Sequence, residues 1–508
     1  MCWCVLVTSF RVRLLDADTG DLRVVLIPKN IALANGLKGG SRVKVVSDSK
    51  YVTAWVVVSE EEGEEVLLSK SVSAALGNPE KIKLNMCSMV PSVDFIKKKL
   101  RGIKLSEDEI RSIIKDITSG VLGDVEIAAF VAAQTSVGME VDEIVSLTKA
   151  MVETGNVLRF EEPAHDIHSI GGVPGNSKVS IVAVPIIASA GVFIPKTSSR
   201  AITSPAGTAD TMEVFAPVTF TEEEVLELAK KVKGFIIWGG TLNLAPADDI
   251  LIRVEHQLKL DPTSQMVASI LSKKLSMSVS NLIIDIPTGR GAKVESIEEA
   301  RNLSSLFVQV GNKLNLSVRC AITYGGQPIG YAIGPALEAR EALETLMGNG
   351  PMSVKEKAVA LAGLVLEVAG VAPRGSGRKA ALEIFESGRA LQTFLKIVEV
   401  MGGNPSVKPE EIPLGRYRVE VKAPIDGYVT GVYNDALSRI AMAAGAPQDK
   451  GAGVKLYVKR GHKVKEGQTL LEIYSNSEAL LDEALRLVDV LKPITIEGML
   501  LETFPEYL

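Results

Sequence analysis

Glycines and hydroxyl side chains are concentrated in two segments between 165 and 211, which read HDIHSIGGVPGNSK and PKTSSRAITSPAGTADT. Gly171, Gly172 and Gly175 allow the backbone of the first segment to approach an anion closely. The second segment adds the cation Arg200. It also adds hydroxyl groups, on Ser198, Ser199, Thr203, Ser204 and Thr208. Backbone N–H groups and hydroxyls together hold phosphate without a large excess of positive charge, so the two segments predict a phosphate site. Each segment alone also fits an ordinary turn between a strand and a helix.

A second group of candidates lies in LDPTSQMVASILSKKLS, which has the pattern of a helix. Asp261 is expected at the helix cap and Pro262 at the first helical position, which is a common way for a helix to begin. Ser269 and Lys273 are four residues apart and therefore share one face of this helix. Asp261 can serve as an ordinary cap, as a catalytic acid, or as both.

The third candidate segment is DIPTGRGAKVE, in which a buried strand runs into a glycine-rich turn that holds Arg290 and Lys293. Cations directly after a strand end favour a second anion pocket, although a solvated turn has the same composition. None of the three segments has the spacing of a Walker loop or of a GxGxxG fingerprint. Of the four histidines, His168 alone falls in a candidate loop, and their spacing predicts no metal site.

Hydrophobic periodicity divides the chain into four predicted domains. Residues 1–88 alternate in the manner of a small β-barrel, residues 91–162 and 242–277 form a discontinuous helical domain, and residues 163–241 and 278–415 form an α/β domain. Residues 416–508 are predicted to form a C-terminal β-rich, hammerhead-like layer. The expected fold class is therefore α/β with these additions, and crossings near 163, 241 and 278 are candidate hinges.

Composition limits the classes of partner. The 508 residues include 56 Lys and Arg against 61 Asp and Glu, and this net charge of -5 gives no long-range attraction to nucleic acid or to anionic membranes. Four scattered cysteines do not make a disulfide framework. No apolar run approaches the roughly 20 residues of a membrane span, and the first ten residues resemble a strand more than a signal peptide. A soluble, cytoplasmic protein is expected.

Several motifs occur in the same order as in the thymidine and pyrimidine-nucleoside phosphorylases. They are HDIHSIGGV, SSRAITSPAGTADTMEV, ASILSKKL, DIPTGRGA and AITYGGQPIGYAIGPALEAREAL, and the sequence after APIDGYVTGVY resembles the C-terminal domain of that family. The resemblance covers roughly residues 92 to 490. It implies a helical domain and an α/β domain that close over phosphate and nucleoside, with inorganic phosphate as co-substrate and no cofactor.

The chain departs from that family at several positions. Ile167 replaces a lysine before the first-loop histidine, and Val254 replaces an arginine that holds the pyrimidine. Lys293 replaces an aromatic residue, and Arg290 is an added cation. With the extra residues 1–88, SRAITS and the APADD stretch, the chain resembles the archaeal AMP phosphorylases. That resemblance implies conversion of AMP, and less selectively of other nucleoside monophosphates, to free base and ribose 1,5-bisphosphate.

The resemblance also implies roles for individual residues. Asp261 matches the proton donor to the leaving base. Phosphate would be bound by Ser169, Ser198 and Thr208. The substrate would be bound by Gly172, Ser199, Arg200, Ala201, Ile202, Thr203, Ser204, Thr208, Ser269, Lys273 and Lys293.

Three alternatives remain open from the sequence. A pyrimidine-nucleoside phosphorylase is disfavoured by Val254 and Lys293. A phosphoribosyltransferase would need paired carboxylates for magnesium in its loops, and the sequence shows none there. A non-catalytic binding module is suggested by the lipoyl-like tail, which lacks a lysine turn for attaching a cofactor. Residues 1–88 carry no candidate residue, so we expect them to serve assembly into a homo-oligomer.

Overall fold

The computed structural model describes residues 5–20, 22–86, 90–201 and 204–499. The candidates Ile202 and Thr203 lie outside the described residues, as do Cys2, Cys4 and Cys87.

Six N-terminal strands form a closed barrel in the order β1-β5-β2-β4-β3-β6. They are β1 (Val5–Leu14), β2 (Val24–Pro28), β3 (Arg42–Ser47), β4 (Lys50–Ser59), β5 (Glu65–Leu68) and β6 (Lys81–Met86), with the short helices α1 (Lys29–Ala34) and α2 (Lys70–Leu76) between them. Alternate residues such as Val43 and Val45 are fully buried in the barrel core. Closure of the sheet pairs every strand on both sides and leaves no free edge.

Four helices follow: α3 (Pro91–Leu100), α4 (Glu107–Thr118), α5 (Asp124–Val137) and α6 (Val141–Glu153). Their starts differ: Ser106 caps α4 by accepting from the Glu109 N–H, whereas α3 begins with Pro91. Helices α5 and α6 use an acidic side chain of the first turn. In α5, for example, the carboxylate of Glu126 accepts from the N–H of Gly123.

The next segment alternates strands and helices and ends in two helices. Its elements are β7 (Ala164–Ser169), α7 (Ser177–Ser189), β8 (Ile194–Ser198), α8 (Thr208–Met212), α9 (Glu222–Lys231), β9 (Gly234–Trp238), the 3-10 turn Gly239–Leu242, α10 (Pro246–Leu258) and α11 (Thr263–Ser276). The apolar segments around FIPKT and GFIIW form the strands β8 and β9. The apolar segment VSIVAVPIIAS instead belongs to the buried helix α7. Helix α11 begins at Thr263, one residue later than predicted, so Pro262 precedes its first residue.

The chain then returns to the sheet and continues into four long helices. The elements are β10 (Val279–Thr288), α12 (Ile297–Lys313), β11 (Ser317–Tyr324), β12 (Ala332–Ile333), α13 (Pro335–Leu346), α14 (Met352–Val368), α15 (Gly377–Glu386) and α16 (Arg389–Val400). Strands β11, β10 and β7 form a parallel sheet, in which Asp285 of β10 pairs with Ser169 of β7. Strands β8 and β9 form a separate parallel pair. Parallel strands direct their carboxyl ends to one edge, where ligands commonly bind.

The C-terminal segment contains two small antiparallel sheets and two helices. A 3-10 turn, Pro409–Glu411, precedes them, and the elements are β13 (Tyr417–Lys422), β14 (Gly427–Val432), α17 (Asn434–Ala443), β15 (Gly453–Leu456), β16 (Lys463–Val464), β17 (Thr469–Ser475), α18 (Glu478–Leu491) and β18 (Ile494–Glu497). One sheet has the order β12-β15-β17-β13 and the other has the order β16-β14-β18. The β-rich description of the sequence missed α17 and α18, which pack on the apolar core of this layer.

The chain separates into two compact units. One contains residues 1–154 and 245–269, and the other contains residues 155–244 and 270–508. The four-domain division with its hinge positions stays a prediction. Across the described ranges, no helix is long and apolar enough to cross a membrane.

Candidate active site

Ser169 lies at the carboxyl end of β7 and is oriented by a buried hydrogen-bond network. The Asn176 side-chain amide donates to the Ser169 hydroxyl oxygen at 2.8 Å and to the Asp285 carboxylate at 3.2 Å. Asp285 also accepts from the Thr323 hydroxyl at 2.6 Å and pairs with the Lys357 ammonium at 2.9 Å. Because the Ser169 oxygen accepts this bond and a second from the Gly171 N–H, its own hydrogen can be donated to a bound oxygen.

The first glycine loop contacts the turn that holds Lys293. Gly172 has φ +84°, and a β-carbon built on it would lie 2.6 Å from the Lys293 Cβ and 2.9 Å from its backbone nitrogen. Any side chain at 172 would therefore displace that turn. The loop with Gly172 and the turn with Lys293, which the sequence predicted as separate anion sites, are thus in direct contact.

A buried cluster of charges lies beside these loops. The Lys274 ammonium donates to the Asp166 carboxylate at 2.6 Å and to the carbonyl and hydroxyl oxygens of Thr197 at 3.1 Å. The Lys196 ammonium donates to the same Thr197 carbonyl at 2.6 Å and lies 3.7 Å from Asp166. All three charged side chains are at least 96% buried. Two ammonium groups therefore share one carboxylate.

This imbalance affects the protonation of Lys196. Burial lowers the pKa of Lys196 to about 7, Asp166 opposes the effect, and the neighbouring Lys274 adds to it. Buried charges without a full set of partners are unfavourable, and a nearby anion relieves the penalty. A nearby anion would therefore favour the charged form of Lys196.

His168 is part of the same environment. The sequence predicted it in a loop, but it lies within β7, where the residue is half-buried. Burial lowers the pKa of His168 well below its usual value, and the charges of Lys274, Lys196, Lys273 and Lys293 lower it further. The imidazole is therefore neutral at neutral pH, and four lysines lie close enough to influence it.

Arg200, the cation that the sequence suggested for the phosphate, is paired with carboxylates of its own segment and the helix that follows. Its guanidinium makes two 2.6 Å hydrogen bonds to Glu213, lies 3.4 Å from Asp210 and stacks over Trp238. Hydrogen bonds from Arg200, supported by Lys450, lower the pKa of Glu213 to about 2. Asp210 in turn accepts from the Ala201 N–H at 2.7 Å. Arg200 and Ala201 thus hold the second segment in shape, and their contacts with substrate stay predictions.

The other hydroxyls of the second segment are distributed around the start of two helices. Thr208, the first residue of α8, donates to the carbonyl of Ser177, the first residue of α7, at 3.3 Å. The hydroxyls of Ser198 and Ser204 donate to nearby carbonyls at 3.3 and 3.4 Å, and Ser199 is exposed. The N-terminus of the 13-residue α7 adds a partial positive charge that favours an anion.

The three candidate residues on α11 or just before it differ from one another in their surroundings. The Ser269 hydroxyl donates to the buried Asp248 carboxylate at 2.7 Å, and the Gln265 amide donates to the same carboxylate at 3.3 Å. Lys273 is half-buried one turn after Ser269, and Asp261 is exposed just before the helix. Asp261 and Ser269 belong to the first compact unit, whereas the other described candidates, Lys273 included, belong to the second.

Sequence reasoning missed the residues that position the site, chiefly Asp166, Asn176, Lys196, Asp248 and Lys274. A signal was present in two cases, because Lys196 interrupts the apolar run FIPKT and Asp166 precedes the apolar Ile167 in a buried strand. A charge in a buried strand indicates a partner or a ligand. Within the described residues, no group of three or more His, Cys, Asp or Glu could hold a metal ion, and the expected absence of metal stays a prediction.

Three family models match the chain. Residues 93–155 match the helical bundle domain of a glycosyl transferase family, and residues 161–391 match the α/β domain of that family. Residues 428–495 match the C-terminal domain of pyrimidine nucleoside phosphorylase. These matches support an α/β fold with a helical domain, as the sequence predicted.

Similar proteins extend over nearly the whole chain. The AMP phosphorylase of Hyperthermus butylicus is 50% identical over 98% of this chain and 100% of its own length. Those of Pyrococcus furiosus and Methanococcus vannielii are 49% and 48% identical, each over 97% of this chain, and over 98% and 99% of their own lengths. The chain belongs to the AMP phosphorylase family. Among solved structures, anthranilate phosphoribosyltransferase from Thermus thermophilus is 21% identical, with a TM-score of 0.49 over 61% of this chain and 99% of its own.

Membership of the AMP phosphorylase family agrees with the pentosyltransferase class of enzyme that the sequence predicted. The matched α/β region includes the whole lysine cluster, Ser169 and the Lys293 turn. The residue assignments themselves stay predictions in this AMP phosphorylase family member.

The lysine cluster predicts a pH dependence of anion binding. Because the pKa of Lys196 is lowered to about 7, its amine is charged below that pH and neutral above it. A bound dianion prefers the charged amine, so affinity should fall as pH rises through 7, by up to about tenfold per pH unit above it. Sulfate is a suitable probe because it remains a dianion over this range, and its dissociation constant can be measured by calorimetry from about pH 6 to 8.5.

Two variants make this measurement specific. Lys196→Met should weaken sulfate binding at the acidic end of that range and remove the slope, whereas Lys231→Met, which changes an exposed lysine at the end of α9, should preserve both. His168 should contribute little, because burial lowers its pKa and favours the neutral imidazole. A slope that persists in Lys196→Met would assign the pH dependence to another group.

Proposed function

We propose that this protein catalyses the phosphorolysis of AMP, and of other nucleoside monophosphates less selectively, to free base and ribose 1,5-bisphosphate. The observation that carries the proposal is the buried cluster of Lys196, Lys274 and Asp166, in which two lysines share one carboxylate and both contact Thr197. The names of the full-length relatives support AMP as the nucleotide. We also propose a cytoplasmic homo-oligomer that needs no cofactor.

Inorganic phosphate is already ionised, so the protein needs only to hold it opposite the departing base. In the proposed step, a phosphate oxygen bonds to the sugar C1′ as the bond from C1′ to the base nitrogen breaks. The electron pair of that bond leaves with the base, which takes up one proton. The positioned hydroxyl of Ser169 and the lysine cluster act by placement and charge stabilisation, which contribute most of the rate in such reactions.

Asp261 is proposed as the donor of that proton, on the strength of the family resemblance. The carboxyl group must be protonated when the base leaves, and the negative charges of two phosphate groups would favour that form. The exposed position of Asp261 leaves its carboxyl accessible to a ligand. Ser269 and Lys273 on the following helix are proposed to contact the substrate.

Lys293 is proposed to bind the 5′-phosphate of the nucleotide. It is exposed at the end of its turn, and its charge reaches the same buried region as the lysine cluster. A phosphate dianion that leaves water needs a charged partner, because otherwise its lost hydration is not replaced. In this proposal, Lys293 gives the protein a preference for nucleotides over nucleosides.

The pyrimidine-nucleoside alternative is weakened by Val254. This residue lies on α10, and its side chain is 98% buried. The arginine of the pyrimidine-specific relatives is thus replaced by a core residue, which cannot hydrogen-bond a base.

The overall reaction can be tested with AMP in the presence and absence of inorganic phosphate. We expect adenine to be released at a substantial rate only when phosphate is present, together with one ribose 1,5-bisphosphate per adenine. Release of adenine without phosphate would indicate hydrolysis. Release that needs diphosphate instead would indicate a phosphoribosyltransferase.

Replacement of Asp261 by Asn tests the proton donor. The side chain keeps its shape but loses the proton, so turnover should fall by roughly 10²–10⁴-fold while the melting temperature hardly changes. Asp108→Asn, which removes another exposed carboxylate from the first unit, provides the control and should leave turnover unaltered. Full activity of Asp261→Asn would restrict Asp261 to a structural role at the helix start.

Replacement of Lys293 by Ala tests the nucleotide preference. A charge-assisted hydrogen bond contributes about 1.5–3 kcal/mol, so kcat/KM for AMP should fall by roughly 10–150-fold. Adenosine lacks the 5′-phosphate and should be nearly indifferent to the change. The double variant with Arg290→Ala shows whether the second cation of the turn compensates. Parallel losses for AMP and adenosine would mean that Lys293 supports the fold or the attacking phosphate.

A further inference from the structure

The turn that carries Lys293, defined here as residues 289–293, is held by a residue from the C-terminal layer. Asn434, the first residue of α17, is 97% buried. Its side-chain amide donates to the Gly291 carbonyl at 3.2 Å and to the Gly325 carbonyl at 2.9 Å. One NH₂ group thus bridges the Lys293 turn and the end of β11.

The bridge has an unusual cost. The Asn434 side-chain oxygen is buried and accepts no hydrogen bond from any described residue. An unsatisfied buried carbonyl is unfavourable, so the two donated bonds must outweigh it. A smaller apolar residue would avoid this cost if only packing were needed here. The amide is therefore best explained by the two carbonyls that it holds.

The remaining contacts of the turn leave little freedom for it to move. Gly289 has φ +147°, and a β-carbon on it would lie 2.8 Å from the Gly326 nitrogen. The Gly289 N–H donates to the Val294 carbonyl and closes the turn at its base. On another side, the turn contacts Gly172 of the first loop through Lys293 itself. At the tip of the turn, the Gly291 N–H donates to the Glu295 carboxylate at 3.0 Å, and the Gly291 carbonyl accepts from Asn434. Asn434 is thus the side chain from the C-terminal layer that holds the tip of a turn whose two ends are already fixed.

Tyr433, the residue before Asn434, contacts Arg290, which is the other cation of the turn. The Arg290 guanidinium lies 5.6 Å from the centre of the Tyr433 ring, a distance at which a cation is attracted to the ring face. Tyr433 and Asn434 together therefore contact two successive residues of the turn, Arg290 and Gly291.

We propose that Asn434 is a positioning residue for recognition of the nucleotide 5′-phosphate, acting through the Lys293 turn. This inference rests on the proposed function and on the role given there to Lys293. It adds a specific task for the C-terminal layer, which otherwise lacks a candidate residue. A displacement of about 1 Å in a binding group is enough to reduce catalysis strongly, so loss of the bridge should be measurable at the substrate.

The test compares AMP and adenosine in Asn434→Ala and Asn434→Asp. Both variants remove the donated bonds, and the second keeps the shape of the side chain. We expect kcat/KM for AMP to fall by roughly 10-fold or more in each, with little change for adenosine. Asp435→Asn, at an exposed position of the same helix, is the matched control and should alter neither substrate. Thermal unfolding and size-exclusion chromatography establish that each variant folds and assembles like the parent.

A purely structural role for Asn434 predicts a different pattern. It would lower kcat/KM for both substrates together, or lower the melting temperature without changing their ratio, and either result would overturn the proposal. If adenosine turns over too slowly, the dissociation constants of AMP and adenosine, measured by calorimetry without phosphate, are compared instead of kcat/KM.

A double-mutant cycle separates this proposal from the proposed function. In a Lys293→Ala background, Asn434→Ala should reduce AMP use by less than about threefold, because the group that it positions is already absent. Full additivity would contradict the proposal. If the parent enzyme does not cleave AMP with phosphate, the proposed function fails first. If it does and the AMP to adenosine ratio stays constant in the Asn434 variants, only the inference about Asn434 fails.

Discussion

Two buried ammonium groups that share one carboxylate are the constraint on which the site depends. Asp166 is supplied by β7, Lys196 by β8 and Lys274 by α11, so three elements must meet for the charges to be even partly matched. Replacing such a cluster with apolar residues is often neutral or stabilising for a fold. The anion site proposed above gives these charges a role that stability alone does not. The glycine loop follows β7, and the hydroxyl-rich segment follows β8. Their N–H and hydroxyl groups can add uncharged hydrogen bonds to an anion that the lysine charges already attract.

A second theme is that side chains fix the loops of this site over very different separations in sequence. Asn176 orients Ser169 from seven residues away, the Glu213 carboxylate binds Arg200 from 13 residues away, and Asn434 holds the Lys293 turn through Gly291, 143 residues away. In each case a segment that would be flexible in isolation is fixed by a side-chain hydrogen bond. Such preorganisation matters more for phosphorolysis than reactive side chains do, because the phosphate nucleophile needs placement and not activation.

The sequence predicted local secondary structure better than long-range partners. Periodicity identified strands β10 and β11 and the helices α3 to α6, because each has a regular apolar pattern of its own. The segments with glycines and hydroxyls were found because their composition is unusual. The pairing of Arg200 with Glu213 could not be foreseen, since nothing in the interval between them specifies that the chain folds back. His168 was misplaced for a related reason: a polar residue beside glycines resembles a loop unless the strand before it is recognised. Helices α17 and α18 were missed because short strands surround them.

Strand β12 has a consequence for how this chain can be divided. This two-residue strand, Ala332–Ile333, precedes β13 by a long stretch of chain that includes four helices, yet it forms the outer strand of the sheet β12-β15-β17-β13. A fragment that begins just before β13 would lack that strand and would present the backbone of β15 as an open edge, where other chains can pair. The complementary fragment would keep β12 with no sheet to join. Although its family model covers it separately, the C-terminal layer is therefore not a transferable module, and fusion or truncation designs should keep both parts of that sheet on one polypeptide.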